Sequence, residues 1–194
     1  FFDKSKNAYA ISLIIKPDQI RTVNNLIVLE LDQLNALSAE SYLQRALSIQ
    51  NQSQEERALI CNTACQLRLF QQRFEEAFLF AKEQVHLNPS HRSFSNLAIS
   101  LQWKGKLEDA LEMQVKALQY QLGLKIKTEF DSKEFVHLIL KPLSGLQESI
   151  DLHIQLMNLG VLLLSCNEAD VIAQQYLLAG MGTQVRFWED QRQH

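Results

Sequence analysis

The chain has 194 residues with only 6 Gly and 3 Pro, and its formal net charge is −3 at pH 7. All-β and disordered chains need many more of these chain-breaking residues, so the composition favours a mostly helical globular protein. A slightly acidic chain has no electrostatic reason to bind nucleic acid or an anionic membrane. No stretch approaches the about 20 apolar residues that cross a bilayer. We therefore expect a soluble protein with neither a nucleic acid nor a membrane as partner. The 3 Cys, a small and odd number, favour reduced thiols and a cytoplasmic location.

Small and aliphatic residues recur along the chain at a spacing of 13 and then 7 residues. The sets are Leu26, Ala39 and Ala46; Ala64, Ala77 and Gln84; Leu97, Ala110 and Ala117; and, more weakly, Leu159, Ile172 and Ala179. The residue after each first member is mostly small, as expected where two helices cross closely: Ile27, Cys65, Ala98 and Gly160. Because a fixed period marks a repeat architecture, the register predicts stacked pairs of helices.

In chain order, the predicted elements begin with the second helix of a preceding repeat at about residues 7–16. The repeats follow at about 20–57, 58–90, 91–121 and 153–185. Leu26 and Ala64 are 38 residues apart, which predicts a longer turn near residues 51–54. Residues 122–150 break the period and are predicted to form a helical insertion or a highly degenerate repeat. A helix is expected there from Ser132 until Pro142 stops it. We expect all of these elements in one domain of residues 1–194.

Two segments carry the clearest repeat, at residues 58–90 and 91–121. Each has an amphipathic helix, a turn at Gln71–Gln72 or at Lys104–Gly105–Lys106, and a second helix with carboxylates in its first turn. This pattern resembles the tetratricopeptide repeat (TPR), a helix-turn-helix unit of about 34 residues. The position usually held by Trp is Cys61 in one copy and Phe94 in the next, and Gln72 replaces the turn Gly in the first. The resemblance implies an all-α, right-handed solenoid whose concave groove is lined by the first helix of each repeat.

Asparagine recurs at one groove position of the register, one residue before the first member of each set. Asn25, Asn96 and Asn158 occupy this position, and Thr63 interrupts the series. An Asn amide can pair with both the N–H and the C=O of a passing peptide bond, which predicts capture of an extended polypeptide whatever its side chains. The pattern resembles the asparagine ladder in the TPR superhelix of O-linked N-acetylglucosamine transferases. The alternative is that these amides bridge neighbouring repeats or face water.

The remaining predicted groove residues are uncharged, namely Asn62, Gln66, Phe70, Ile99 and Trp103. Phe70 and Trp103 recur one repeat apart, so they are either aromatic anchors for a ligand or core residues that pack against the second helices. A second TPR binding mode clamps a terminal carboxylate between Lys and Arg side chains. Arg21 and Arg92 occupy two of its positions, but the others are not basic, so this mode is disfavoured.

No catalytic motif, cofactor site or metal site is predicted. Cys61 and Cys65 lie on one helix face, but two further ligands would be needed, so we interpret them as buried structural thiols. No basic residue near Cys166 would activate it as a nucleophile. The acidic pairs Glu75–Glu76 and Glu108–Asp109 stand at helix N-termini, where carboxylates are expected in any case.

The sequence therefore predicts a non-catalytic module that binds a protein or peptide partner in its groove. Two alternatives remain open. The chain is a targeting region of a larger enzyme, such as a glycosyltransferase, whose catalytic domain lies outside these residues. Or it is a structural scaffold that forms homo-oligomers through its apolar ends or through Phe187 and Trp188.

Overall fold

The computed structural model describes residues 2–123 and 150–165, and in these ranges the protein is built from eight α-helices. Their bounds are α1 (Phe2–Ile15), α2 (Ile20–Asp32), α3 (Ala36–Ser48), α4 (Gln54–Phe70), α5 (Phe74–Leu87), α6 (His91–Trp103), α7 (Leu107–Leu122) and α8 (Ile150–Ser165). Helices α1 to α5 belong to one compact unit, Phe1–Pro89, and α6 to α8 belong to a second, Ser90–His194.

Three helix pairs are closed by the same turn. Leu34, Gln72 and Gly105 occupy its left-handed position, with φ of 58°, 59° and 75°. The following N–H reaches back five residues to a carbonyl oxygen in each pair: Asn35 to Glu30 at 2.8 Å, Arg73 to Arg68 at 2.8 Å, and Lys106 to Leu101 at 3.0 Å. These bonds satisfy carbonyl groups that the end of a helix leaves without partners. The recurrence of one turn makes α2–α3, α4–α5 and α6–α7 equivalent helical hairpins.

The register of small and aliphatic residues is buried in all three hairpins. Leu26, Ala39, Ala46, Ala64, Ala77, Gln84, Leu97, Ala110 and Ala117 are each less than 9% exposed. Ile27, Cys65 and Ala98, one residue after the first members, are fully buried. A residue without a large side chain lets two helix backbones approach closely, so the fixed spacing repeats one packing arrangement. In the first unit, five of these positions form one core cluster with larger residues such as Leu43, Ile60 and Leu67; they are Leu26, Ile27, Ala39, Ala46 and Ala64.

Local signals in the sequence set the beginnings of the helices. Ser53 and Glu56 form a reciprocal capping box at the start of α4, and Ser90 and Ser93 form one at the start of α6. The connection before α4 spans residues 49–53 and includes Asn51 in a left-handed conformation, as the longer turn predicted there requires. Helix α1 begins at Phe2, earlier than the predicted start at 7, since no Gly or Pro precedes Pro17.

Arg68 joins three helices of the first unit in a network of ion pairs and hydrogen bonds. Its guanidinium donates to both carboxylate oxygens of Glu40 in α3, with Nη2 to Oε1 at 3.0 Å. It also donates to Glu76 of α5 at 3.0 Å and to the Gln71 side chain at 2.8 Å. The Arg68 side chain is only 4% exposed, so its charge depends on these partners. The hydrogen bond from Arg68 holds the pKa of Glu40 well below its usual value of 4.5, at about 2.

We expect the Glu40 carboxylate to stabilise the fold at neutral pH and to lose that effect in acid. The folded-state pKa is depressed, so the unfolded chain binds the proton first as the pH falls from about 4.5 towards 2. Urea unfolding midpoints should therefore decrease across this window, and Glu40→Gln should show a shallower decrease than wild type. Parallel pH profiles of the two proteins would contradict this role for Glu40.

Candidate functional site

A buried polar bridge fixes how α2 and α4 lie beside each other. Thr63 Oγ1 of α4 lies 2.7 Å from Asn24 Oδ1 of α2 and can donate its hydroxyl proton to it. Thr63 is 1% exposed and Asn24 is 4% exposed, so neither side chain can turn to water instead. Thr63 stands at the asparagine position of the register, and Asn24 precedes that position in the previous repeat.

A second bridge of the same kind lies within the second unit. Asn158 Nδ2 of α8 donates to Ser95 Oγ of α6 at 3.4 Å, and Ser95 Oγ lies 3.5 Å from Gln114 Oε1 of α7. Ser95 occupies the same register position in α6 as Asn24 does in α2. In both units, therefore, polar side chains join two helices. One side chain stands at the asparagine position of its helix, and the other stands one residue before that position in its own helix.

The predicted asparagine ladder is not a row of equivalent open amides. Asn25 is exposed, whereas Asn96 and Thr63 are buried and Asn158 is partly buried in its bridge. A ladder needs each amide to reach the ligand, and the burial of Asn96 and the bridge formed by Asn158 disagree with that expectation. Thr63, which interrupts the series, is buried as well. The alternative of amides that bridge repeats describes Asn158, while Asn25 alone keeps the exposure that peptide binding requires.

Thr63→Val is expected to lower the free energy of unfolding by about 1.5 kcal/mol. The substitution keeps the shape of the side chain but leaves the buried Asn24 Oδ1 without this hydroxyl donor. Thr63→Ser retains the hydroxyl but loses a buried methyl group, so wild type is the reference for the comparison. Equilibrium urea denaturation measures the change, and a Thr63→Val variant as stable as wild type would show that the bridge contributes nothing.

Uncharged side chains of α2 and α4 turn to one side of the bridge. Two successive short connections reverse the chain twice, so α2 and α4 run in the same direction. Asn25, which follows Asn24, and Asn62, which precedes Thr63, therefore point to the same side of the two helices. Val28, Gln66 and Phe70 follow on that side at intervals of three or four residues. We call this surface the α2–α4 face, formed by Asn25, Val28, Asn62, Gln66 and Phe70.

The side chains of the α2–α4 face combine exposed amides with exposed apolar groups. Asn25 and Gln66 are exposed, and Phe70 is 48% exposed. Val28 is 37% exposed. Asn62 is partly buried and accepts a hydrogen bond from Gln84 Nε2 at 3.3 Å. Phe70 is therefore a surface residue and not a core residue.

In the second unit, Trp103 at the end of α6 is 61% exposed and Ile99 is partly buried. The aromatic side chain at this repeat position is thus exposed within each unit, as Phe70 in the first and Trp103 in the second. Of the two alternatives for Phe70 and Trp103, the exposure of both side chains favours aromatic anchors over core residues.

The cysteine chemistry of the described residues is structural. Cys61 and Cys65 are buried and neither forms a disulfide bond. Burial raises the pKa of Cys61 to about 12, with a further contribution from Glu83, so the thiol stays protonated at neutral pH. Across residues 2–123 and 150–165, no group of three His, Cys, Asp or Glu side chains could hold a metal ion. Cys166 lies outside the described residues.

Arg21 and Arg92, the two basic residues at positions of the terminal-carboxylate clamp, are both exposed. Arg21 is exposed and lies 4.0 Å from Glu55, so its charge is partly compensated by a neighbouring carboxylate. None of the described helices is long and apolar enough to cross a membrane. Phe187, Trp188 and most of the predicted insertion at 122–150 and of the repeat at 153–185 lie outside the described residues.

The repeated turns and the buried register define an all-α helical-repeat fold. Solved structures support this assignment. A crystal structure of MamA has a TM-score of 0.61 and 13% identity, covering 97% of this chain and 91% of that chain. A second crystal structure of MamA protein has a TM-score of 0.58 and 13% identity, covering 97% of this chain and 85% of that chain. A crystal structure of BtubC (BKLC) from P. vanneervenii has a TM-score of 0.55 and 15% identity, covering 96% of this chain and 89% of that chain.

These neighbours are TPR-like helical-repeat proteins, and the likeness confirms the predicted fold. At such low identity it shows the fold alone. No family model and no curated protein matches the sequence. The repeat boundaries, the resemblance to O-linked N-acetylglucosamine transferases, self-association and membership of a larger enzyme stay predictions.

Proposed function

We propose that the chain is a protein-interaction module that holds an extended polypeptide on the α2–α4 face. The observation that carries the proposal is the exposure of amide and apolar side chains side by side on two first helices. The Asn24–Thr63 bridge holds these helices in register at 2.7 Å, so the face is organised before a partner arrives. A preorganised surface loses less conformational entropy on binding than a flexible one.

The amides and the apolar groups have separate roles in this proposal. Asn25 and Gln66 each offer donors and an acceptor, which match the N–H and C=O groups of an extended chain. Phe70 and Val28 offer apolar surface to a side chain of the partner, and aromatic anchors of this kind contribute much of the affinity in protein interfaces. In the second unit, Trp103 is the corresponding candidate anchor.

The double variant Asn25→Ala, Phe70→Ala is expected to weaken peptide binding at least about tenfold. Both residues are exposed, so helicity and stability should remain those of wild type. Peptides selected by the wild-type chain from a phage-displayed random dodecamer library provide the ligands, and isothermal titration calorimetry measures their Kd.

Leu79→Ala is the matched control, because Leu79 is 62% exposed on α5, away from the α2–α4 face. It should leave the affinity unchanged. Equal binding by the double variant and the control, with circular dichroism unchanged, would overturn the assignment of the α2–α4 face.

A further inference from the structure

The α2–α4 face carries no charged side chain, although charged residues make up 21% of the chain. Asn25, Val28, Asn62, Gln66 and Phe70 are amide or apolar residues. Exposed charges stand near the ends of the two helices, with Arg21 and Glu55 in their first turns and Asp32 at the end of α2. A partner that lies along the middle of the face therefore meets hydrogen-bonding groups and apolar surface.

The other charges of α2 and α4 are engaged within the protein. Glu30 of α2 is fully buried, forming an ion pair with Lys6 and accepting a hydrogen bond from Asn35 Nδ2 at 2.8 Å. Glu56 caps its own helix. On α4, Arg57 makes two hydrogen bonds to Glu83, at 2.6 and 3.0 Å.

Arg68, the remaining charge of α4, is buried in its network with Glu40 and Glu76. These internal pairs leave no compensating charge for a ligand in the middle of the face.

The uncharged surface between these ends sets the chemistry of the partner. A charged side chain placed against Val28 and Phe70 would lose water without gaining a counter-charge, which is costly. An uncharged segment loses less hydration and satisfies its backbone with Asn25 and Gln66. Resting on the proposed function, we infer that the occupant is an extended polypeptide segment without charged side chains over this face. One large apolar side chain of the segment contacts Val28 and Phe70.

Three pools of synthetic, fluorescein-labelled dodecapeptides test the inference. The neutral pool is built from Gly, Ser, Asn, Thr, Leu and Phe, and two derived pools carry Lys or Glu at central positions. Fluorescence anisotropy with the whole chain should show the neutral pool binding at least about fivefold more tightly than either charged pool. Its Kd should change less than about twofold between about 50 and 500 mM NaCl. Phe70→Ala should remove the preference.

Gln66→Glu, at an exposed position of α4, provides a second test. It introduces one carboxylate into the face, and the Lys pool should then bind more tightly than it does to wild type. Tighter binding of a charged pool by wild type, still weakened by Phe70→Ala, would overturn this inference and leave the proposed function intact. Absence of binding by every pool, or binding that Phe70→Ala does not weaken, would overturn both.

Discussion

Arg68→Ala is expected to lower the free energy of unfolding by about 3 kcal/mol, because it breaks a buried ion-pair network at its centre. The guanidinium is 4% exposed and connects Glu40, Gln71 and Glu76 across α3, α4 and α5. Its removal leaves the Glu40 carboxylate, which is only 26% exposed, without its main donor. Urea denaturation followed by circular dichroism measures the change.

Arg73→Ala is the matched control for this network. Arg73 also pairs with Glu76, but its side chain is 46% exposed, so the loss should be below about 0.5 kcal/mol. If the two variants lose the same stability, the network behaves as a surface feature and burial of Arg68 has no energetic consequence.

Ile60→Ala is expected to cost about 3 kcal/mol through loss of buried apolar surface and creation of a cavity. Ile60 is fully buried in α4 and belongs to the cluster that includes Leu26, Leu43 and Leu67 from the first two hairpins. Truncation there should destabilise both hairpins of the first unit together, and the unfolding transition should remain single. Chemical denaturation monitored by both fluorescence and circular dichroism tests this cooperativity.

Leu79→Ala removes a side chain of similar size from an exposed position of α5 and should change stability by less than about 0.5 kcal/mol. A small loss for Ile60→Ala, or two separate unfolding transitions in that variant, would contradict a core shared between the hairpins.

The helical hairpins were predictable from the sequence because helix packing imposes a fixed spacing on small residues. Ala39, Ala77 and Ala110 sit at one repeat position and are all fully buried. The turn at Gly105 was also predictable, because Gly favours a left-handed conformation. Leu34 and Gln72 adopt the same conformation without being Gly, so their turns were harder to predict. Tertiary packing overrides residue preference at these two turns.

The polar bridges could not be predicted, because they depend on which residues meet across helices. Asn24 and Thr63 are 39 residues apart, and nothing local distinguishes Asn24, which is buried, from Asn25, which is exposed. Sequence spacing alone therefore treated Asn25, Asn96 and Asn158 as equivalent. The absence of charge at the groove positions was visible in the sequence, but its meaning required the ion pairs that engage Arg57 and Arg68 inside the first unit.

The most direct test of the interaction face is chemical-shift mapping of the isotopically labelled chain with a peptide selected by the wild type. We predict amide and side-chain shifts at Asn25, Val28, Gln66 and Phe70, with no change at Leu79. Shifts that instead cluster on the exposed isoleucines of α1, Ile11, Ile14 and Ile15, and leave the α2–α4 face unchanged would contradict the account.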